Sequence, residues 1–201
     1  MKYIKRIIAV IILVSVSMAN GQGTIEFNGR IYAGLYYSEQ GMEFNVIVPT
    51  YGPGDGVLVP NHDIMGITAG DGNPFLLFFQ QSSPDNYVSF NLVSGGLFGL
   101  SSVQLADPLY PSSVNLPITF MGTKSDNTIV TETFTIIPDR TRNFQSFTFD
   151  SDFAYGLKSV DILAPRWAMD NLVFIPEPST TALIGFGLLA GWRTLRKRRL
   201  L

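Results

Sequence analysis

The residues that could do chemistry are few, and their spacing excludes most catalytic designs. The chain has one histidine, His62, and no cysteine. A zinc site would therefore lack ligands, and a thiol nucleophile is excluded. His62 stands in the loop-like stretch Pro60-Asn61-His62-Asp63, and no Gly-x-Ser-x-Gly element accompanies it to form a serine hydrolase triad. Paired carboxylates could cleave a glycoside, but no spacing singles out a pair. The sequence therefore predicts no catalytic residue.

One pair of acids is a candidate for a structural calcium site. Glu26 lies near the first predicted strand and Asp170 lies on the last, and terminal strands of a jelly roll are often neighbours. Carboxylate oxygens are the ligands that Ca²⁺ prefers. In the alternative interpretation, Asp170-Asn171 forms a bulge or turn and Glu26 is solvated. No calcium-binding loop of fixed spacing is present, which counts against a calcium site. No other cofactor is predicted.

Tyrosines offer a second kind of site, because an exposed aromatic ring can stack on a sugar ring. The candidates are Tyr32, Tyr36 and Tyr37 near the amino end and Tyr51 and Tyr110 in predicted loops. With 15 Phe, 8 Tyr and 2 Trp in the chain, most aromatic side chains must belong to the core. The sequence admits a sugar-binding surface without placing it.

Short alternating segments must position these residues. Val88, Phe90 and Leu92 recur at every second position, and the same period appears at 103–105, 118–120, 147–149 and 160–162. This period is typical of antiparallel strands with one buried face. Phe75–Phe79 has no polar alternate and predicts a central strand covered on both sides. Turn-forming stretches at 51–56, 70–74, 82–85 and 124–127 separate the runs. An all-β antiparallel sandwich follows, for which an eight-stranded jelly roll fits the count.

One predicted strand carries an acid that its pattern does not explain. Thr131, Thr133 and Thr135 share a face that suits the solvent side of a strand, and the opposite face is apolar except for Glu132.

The charges are divided between the ends and the middle of the chain. Six cations face fifteen acids between residues 22 and 175, a net charge of −9, whereas the ends are basic. Such a domain is repelled by nucleic acid and by anionic lipid, so no nucleic-acid partner is predicted. The basic tail is attracted to anionic lipid.

Residues 1–21 have the pattern of a secretory signal peptide. Three cations up to Arg6 precede the apolar run Ile7–Val16, and Ala19-Asn20-Gly21 supplies small residues for cleavage after Gly21. Cleavage after Ala19 is the alternative. The pattern predicts an N-terminal signal helix and export of residues 22 onward.

The last 26 residues combine three features. Pro176-Glu177-Pro178 predicts a stiff, accessible joint, because proline lacks an N–H and cannot continue an interior strand. Ala182–Trp192 is apolar and uncharged, yet eleven helical residues span only about 16 Å of a hydrocarbon core of about 30 Å. Five cations between Arg193 and Arg199 hold the end on the cytoplasmic side. The alternative is a C-terminal helix in the core.

This arrangement resembles the PEP-CTERM sorting signal of exported bacterial proteins. The resemblance implies recognition by an exosortase, a membrane-embedded transpeptidase or protease, at Pro176, Glu177 and Pro178. It also implies a short transmembrane helix at about 180–192 that is a transient anchor in the membrane, then removal of this helix and delivery to the cell surface or a polysaccharide matrix. The anchor would comprise Leu183, Ile184, Phe186, Leu188, Leu189 and Trp192. The basic stop would comprise Arg193, Arg196, Lys197, Arg198 and Arg199. The chain then divides into residues 1–21, 22–175 and 176–201.

A second resemblance concerns the body. Phe147-Thr148-Phe149, Leu157–Val160 and Trp167–Phe174 resemble the last strands of jelly-roll domains that precede such tails, and those domains are similar to carbohydrate-binding modules. This resemblance concerns the fold, and function does not follow from fold. Because no catalytic residue is predicted, we expect a non-catalytic protein that binds or structures extracellular polysaccharide. A surface polysaccharide hydrolase or lyase and a purely structural surface protein are the alternatives.

Overall fold

The computed structural model describes residues 22–28, 35–47, 57–61, 75–79, 86–108, 114–137 and 143–177. These residues form twelve strands, more than the eight of a minimal jelly roll. The strands are β1 Gly23–Ile25, β2 Tyr36–Glu39, β3 Met42–Ile47, β4 Val57–Asn61, β5 Phe75–Phe79, β6 Tyr87–Leu92, β7 Phe98–Ala106, β8 Leu116–Lys124, β9 Ile129–Ile136, β10 Gln145–Thr148, β11 Leu157–Leu163 and β12 Arg166–Pro176.

Antiparallel pairing arranges the strands in two sheets. The first sheet has the order β9-β8-β11-β6-β3-β2. The second has the order β10-β7-β12-β5-β4, and β1 pairs with β12 beyond the end of β5. The pair Leu157–Phe98 alone joins them among the described strands. The predicted all-β antiparallel sandwich is confirmed.

The inner faces of both sheets share one core. Phe44 of β3 and Phe90 of β6 are cross-strand partners with stacked rings 5.1 Å apart, and Trp167 of β12 stacks on Phe78 of β5 at 5.6 Å. Each of these four side chains is fully buried, and burial of one such side chain is worth about 1.5–3 kcal/mol. The apolar residues whose alternation predicted the strands, such as Val88, Phe90 and Leu92, therefore lie in this core.

Strand β5 is central, as predicted. It lies between β4 and β12, and its side chains from Phe75 to Phe78 are buried on both faces. Leu76 and Phe78 belong to the main core, whereas Phe75 and Leu77 pack with Ala168 on the opposite face of the second sheet. An uninterrupted apolar run is the expected signature of such a doubly covered strand.

Two tight turns have local explanations in the sequence. Gln40 and Gly41 join β2 to β3 with φ of 50° and 79°, the left-handed pair that a two-residue hairpin requires. Between β8 and β9, the Asp126 carboxylate accepts a hydrogen bond from the Thr128 N–H at 2.9 Å, and Asn127 adopts φ of 67°. The turn predicted at 124–127 is confirmed.

The end of β12 corrects one prediction. Pro176 is the last residue of this strand, opposite Phe98 of β7, and the Glu177 N–H donates to the Leu97 carbonyl at 3.0 Å. Proline is tolerated at this position because the next ladder bond is donated by Glu177. The prediction of a joint that starts at Pro176 is wrong for Pro176 and Glu177, because both residues are bonded to the sandwich.

The predicted signal helix and C-terminal helix lie outside the described residues. Within the ranges that the structure describes, no helix is long and apolar enough to cross a membrane.

Candidate functional site

The outer face of the first sheet is a polar platform that is six strands wide. Cross-strand register aligns two rows of side chains there, since every second residue points away from the core. One row is Tyr36, Asn45, Ser89, Asp161, Met121 and Thr131, and the next is Ser38, Glu43, Asn91, Ser159, Thr123 and Ile129. We call these twelve residues, together with Tyr87, the polar face. No side chain in either row is buried.

The adjacent tyrosines Tyr36 and Tyr37 differ in exposure. Tyr36 points outward on β2 with 54% of its surface exposed, whereas Tyr37 is 6% exposed and packs in the core. The Tyr37 ring contacts Phe27 at 5.5 Å, and its hydroxyl donates to the Glu39 carboxylate. Of the five tyrosines that the sequence offered for sugar stacking, Tyr36 is thus placed on an open surface. Tyr32, Tyr51 and Tyr110 lie outside the described residues, as does His62.

A second ring extends the aromatic part of this face. Tyr87 begins β6 opposite Ile47 and is half-buried. Burial raises the pKa of its hydroxyl, and the negative charge of Asp161 raises it further, so the hydroxyl is neutral and can donate a hydrogen bond. From strand spacings, the Cα atoms of Tyr36 and Tyr87 are about 12 Å apart.

The two carboxylates of the polar face have defined positions. Glu43 accepts a hydrogen bond from the Asn91 side-chain amide at 2.8 Å, which holds both groups across β3 and β6. Asp161 lies on β11 opposite Ser89. The face thus combines neutral hydrogen-bonding groups, two acids and aromatic rings, and none of its thirteen described residues is basic.

The calcium candidates are brought to neighbouring strands but not into a ligand cluster. β1 pairs with β12, so Glu26 follows a strand that reaches Leu172. Asp170 is 1% exposed, and its carboxylate accepts from the Asn171 N–H at 2.7 Å. Asn171 has φ of 47° at a register shift, which is the bulge foreseen as the alternative. Among the described residues, no three acidic or histidine side chains are grouped to hold a metal ion.

The sorting residues Pro176 and Glu177 lie at the carboxyl end of β12, where both are half-buried. From Phe174 to Arg199, the sequence matches the model of the PEP-CTERM protein-sorting motif. The chain ends in a PEP-CTERM sorting motif. The protein is therefore an exported one. Pro178, the transient anchor and the basic stop lie outside the described residues, so their roles stay predictions.

Solved structures similar to this chain include carbohydrate-binding modules of family 29. One such module is 19% identical over 77% of this chain and 87% of that chain, with a TM-score of 0.46. A variant complexed with mannohexaose is 17% identical over 77% of this chain and 90% of that chain, with a TM-score of 0.47. Another variant, complexed with cellulohexaose, is 18% identical over 77% and 90% of the two chains, with a TM-score of 0.45. No curated protein matches the chain. The likeness concerns the overall strand arrangement alone.

The fold explains the position of Glu132, for which the strand pattern gave no reason. Glu132 of β9 accepts a hydrogen bond from the Asp150 backbone N–H at 3.1 Å. Partial burial raises the pKa of Glu132, the Asp150 hydrogen bond opposes this, and the Asp150 charge adds to the rise. The carboxylate satisfies the first N–H of the turn between β10 and β11. Eighteen residues separate the partners, so strand periodicity could not reveal the pair.

This pairing predicts different effects for two substitutions. Glu132→Ala removes the acceptor and is expected to lower the free energy of unfolding by about 0.5–1 kcal/mol. Glu132→Gln keeps an acceptor oxygen and removes the ionised form. Because the folded-state pKa is raised, ionisation costs stability as pH rises through that pKa. Glu132→Gln should therefore match or exceed the parent at pH 7 and lose this advantage below the ordinary pKa of glutamate.

Urea titrations of both variants at pH 7 and at pH 4 measure the difference. Equal destabilisation by Gln and Ala at pH 7 would contradict the assignment, since it would mean that the charge rather than the acceptor is required.

Proposed function

We propose that this exported protein binds or structures neutral extracellular polysaccharide through the polar face, without catalysis. The observation that carries the proposal is the exposed ring of Tyr36 standing in one row with Asn45, Ser89 and Asp161. Sugar rings offer an apolar face for stacking and hydroxyls for hydrogen bonding, and both kinds of partner are present here.

The charge of the face selects the class of polymer. Glu43 and Asp161 are its charged groups, and the domain from residue 22 to 175 carries a net charge of −9. An acidic polysaccharide would be repelled by both. Carboxylates accept hydrogen bonds well from hydroxyl groups, so a neutral polymer is the ligand class that the face suits.

The spacing of these acids supports binding rather than cleavage. Glu43 and Asp161 lie two strands and two residues apart, which places their Cα atoms about 12 Å from each other. Glycosidases hold their two carboxyl groups about 5–9.5 Å apart. The Glu43 carboxylate is moreover already engaged by the Asn91 side-chain amide at 2.8 Å.

Binding is tested by a tyrosine substitution with a matched control. Tyr36→Ala is expected to weaken binding to a neutral polysaccharide about tenfold, or about 1.4 kcal/mol, because it removes the stacking surface. The control is Tyr155→Ala, which removes a tyrosine that is 64% exposed but lies between β10 and β11, outside the polar face. Affinity electrophoresis against mannan, glucan and xylan, followed by calorimetry, gives the constants.

The same samples separate the alternatives. Equal loss of affinity in both variants, or no binding by the parent, would contradict the polar face as the site. Reducing ends that accumulate with time would favour a hydrolase or lyase. Neither binding nor turnover would favour a purely structural role.

The destination follows from the sorting motif. We infer that an exosortase recognises Pro176, Glu177 and Pro178 while the anchor residues hold the chain in the inner membrane. Processing then releases the sandwich to the cell surface or the extracellular matrix, where polysaccharide is available to the polar face. Structural calcium at Glu26 and Asp170 stays a proposal that calcium-dependent melting would test.

A further inference from the structure

The glutamate of the sorting motif is held by the folded sandwich through both its backbone and its side chain. The Glu177 N–H donates to the Leu97 carbonyl at 3.0 Å. The Glu177 carboxylate accepts a hydrogen bond from the Gly156 N–H. The strand pair Pro176–Phe98 precedes these contacts. Glu177 therefore links the start of β7 to the turn that connects β10 and β11.

The seat that receives Glu177 is built from three separate elements. In the turn at 150–156, Phe153 accepts a hydrogen bond from the Leu100 N–H at 2.8 Å, which fixes the turn to β7. Gly156 accepts a hydrogen bond from the Ser125 N–H at 2.8 Å, which fixes it to the turn after β8. Because both bonds join segments that are distant in the chain, the seat forms only when the sandwich has folded.

We propose that the folded domain withholds its sorting motif, so that the processing enzyme binds Glu177 only after Pro176 and Glu177 have detached from the sandwich. An enzyme that recognises this glutamate must contact the same carboxylate and the same extended backbone that the seat occupies. The rate of processing is then limited by the fraction of molecules in which this segment is open. This device concerns the sorting motif and is independent of any ligand on the polar face.

The first test moves the motif off the seat without altering it. Inserting Ser-Gly-Ser-Gly between Ile175 and Pro176 keeps all residues of the motif and frees Glu177 from Gly156. Pulse-chase labelling of the full chain, in cells that process PEP-CTERM proteins, measures conversion to the shortened form. We expect about tenfold faster conversion, the factor that one hydrogen bond to a charged group contributes.

The control carries the same insert between Gln40 and Gly41, in the hairpin turn of β2 and β3. It should be processed at the parental rate. Equal rates for the parent and both insertions would overturn the proposal.

A second pair of variants keeps the distance between domain and motif unchanged. Gly156 and Gly41 have φ of 78° and 79°, and a Cβ at either meets nothing within 4 Å. Alanine therefore imposes the same backbone strain at both positions and keeps the backbone N–H at each. Only at residue 156 does the strain act on the N–H that donates to Glu177, so it weakens that hydrogen bond by displacing the turn. Gly156→Ala should accelerate processing several-fold and Gly41→Ala should not, at similar loss of melting temperature. Acceleration by the insertion but not by Gly156→Ala would assign the effect to added reach and overturn the proposal.

Discussion

Replacing Gly99 by alanine is expected to destabilise the sandwich more than any other substitution considered. A Cβ at this position would lie 1.9 Å from the Ala154 carbonyl oxygen and 2.4 Å from its carbon. These are backbone atoms of the turn at 150–156, so no side-chain rotation relieves the overlap. Gly99 also pairs with Ile175 of β12, which prevents β7 from moving away without breaking the ladder.

The expected cost exceeds about 4 kcal/mol, in the range that follows when a backbone contact in the core cannot relax. For a domain of this size, this corresponds to a fall in melting temperature of roughly 10 °C or more. Thermal unfolding followed by circular dichroism measures it. The matched control is Gly96→Ala, where the nearest atom is the Ser94 hydroxyl at 3.3 Å. A side-chain hydroxyl in a turn can rotate, so this variant should melt close to the parent. Equal melting of the two variants would mean that the turn does not rest on β7.

Strand positions were predictable because burial leaves a period in the sequence. The central position of β5 follows from Phe75–Phe79 alone, since a strand covered on both faces has no polar alternate. The solvent side of β9 follows equally from Thr131, Thr133 and Thr135, which are all exposed. In each case, the deciding factor is the burial or exposure of individual side chains, and the spacing of those side chains can be read directly from the sequence.

Pairing between distant segments could not be predicted in this way. The polar face exists because β3, β6, β11 and β8 lie side by side, although β3 and β8 are about seventy residues apart. Tyr36 and Tyr37 are indistinguishable by type, and their fates depend on which face of β2 meets Phe27 and Phe44. Only register decides this, and register depends on the partner strand.

The sorting motif shows how a correct local rule can give a wrong position. Proline removes one N–H donor, and this led to a joint starting at Pro176. The rule says nothing of the next donor, which here is the Glu177 N–H bound to the Leu97 carbonyl. The carboxylate is then fixed by Gly156, twenty-one residues earlier. Both partners come from turns whose proximity to β12 is a property of the folded sandwich.

Ending the chain at Pro178 is expected to abolish retention at the membrane while leaving the sandwich intact. This truncation removes the predicted anchor and all five cations of the basic stop but keeps β12 and the contacts of Glu177 with Leu97 and Gly156. The exported protein should therefore appear wholly in the soluble fraction. Its melting temperature should equal that of the processed parent, because no described contact of the sandwich is lost.

A second variant separates the anchor from the charges that stop it. Glutamine at Arg193, Arg196, Lys197, Arg198 and Arg199 keeps the apolar run and removes the attraction to the cytoplasmic face. Because about eleven apolar residues span only about half of the hydrocarbon core, the run alone should hold the chain poorly. We expect most of this variant to reach the soluble fraction without being shortened, as mass spectrometry of the intact protein would report. Surface delivery of either variant in parental amounts would contradict a sorting role for the tail, since the sandwich would then be retained by another part of the chain.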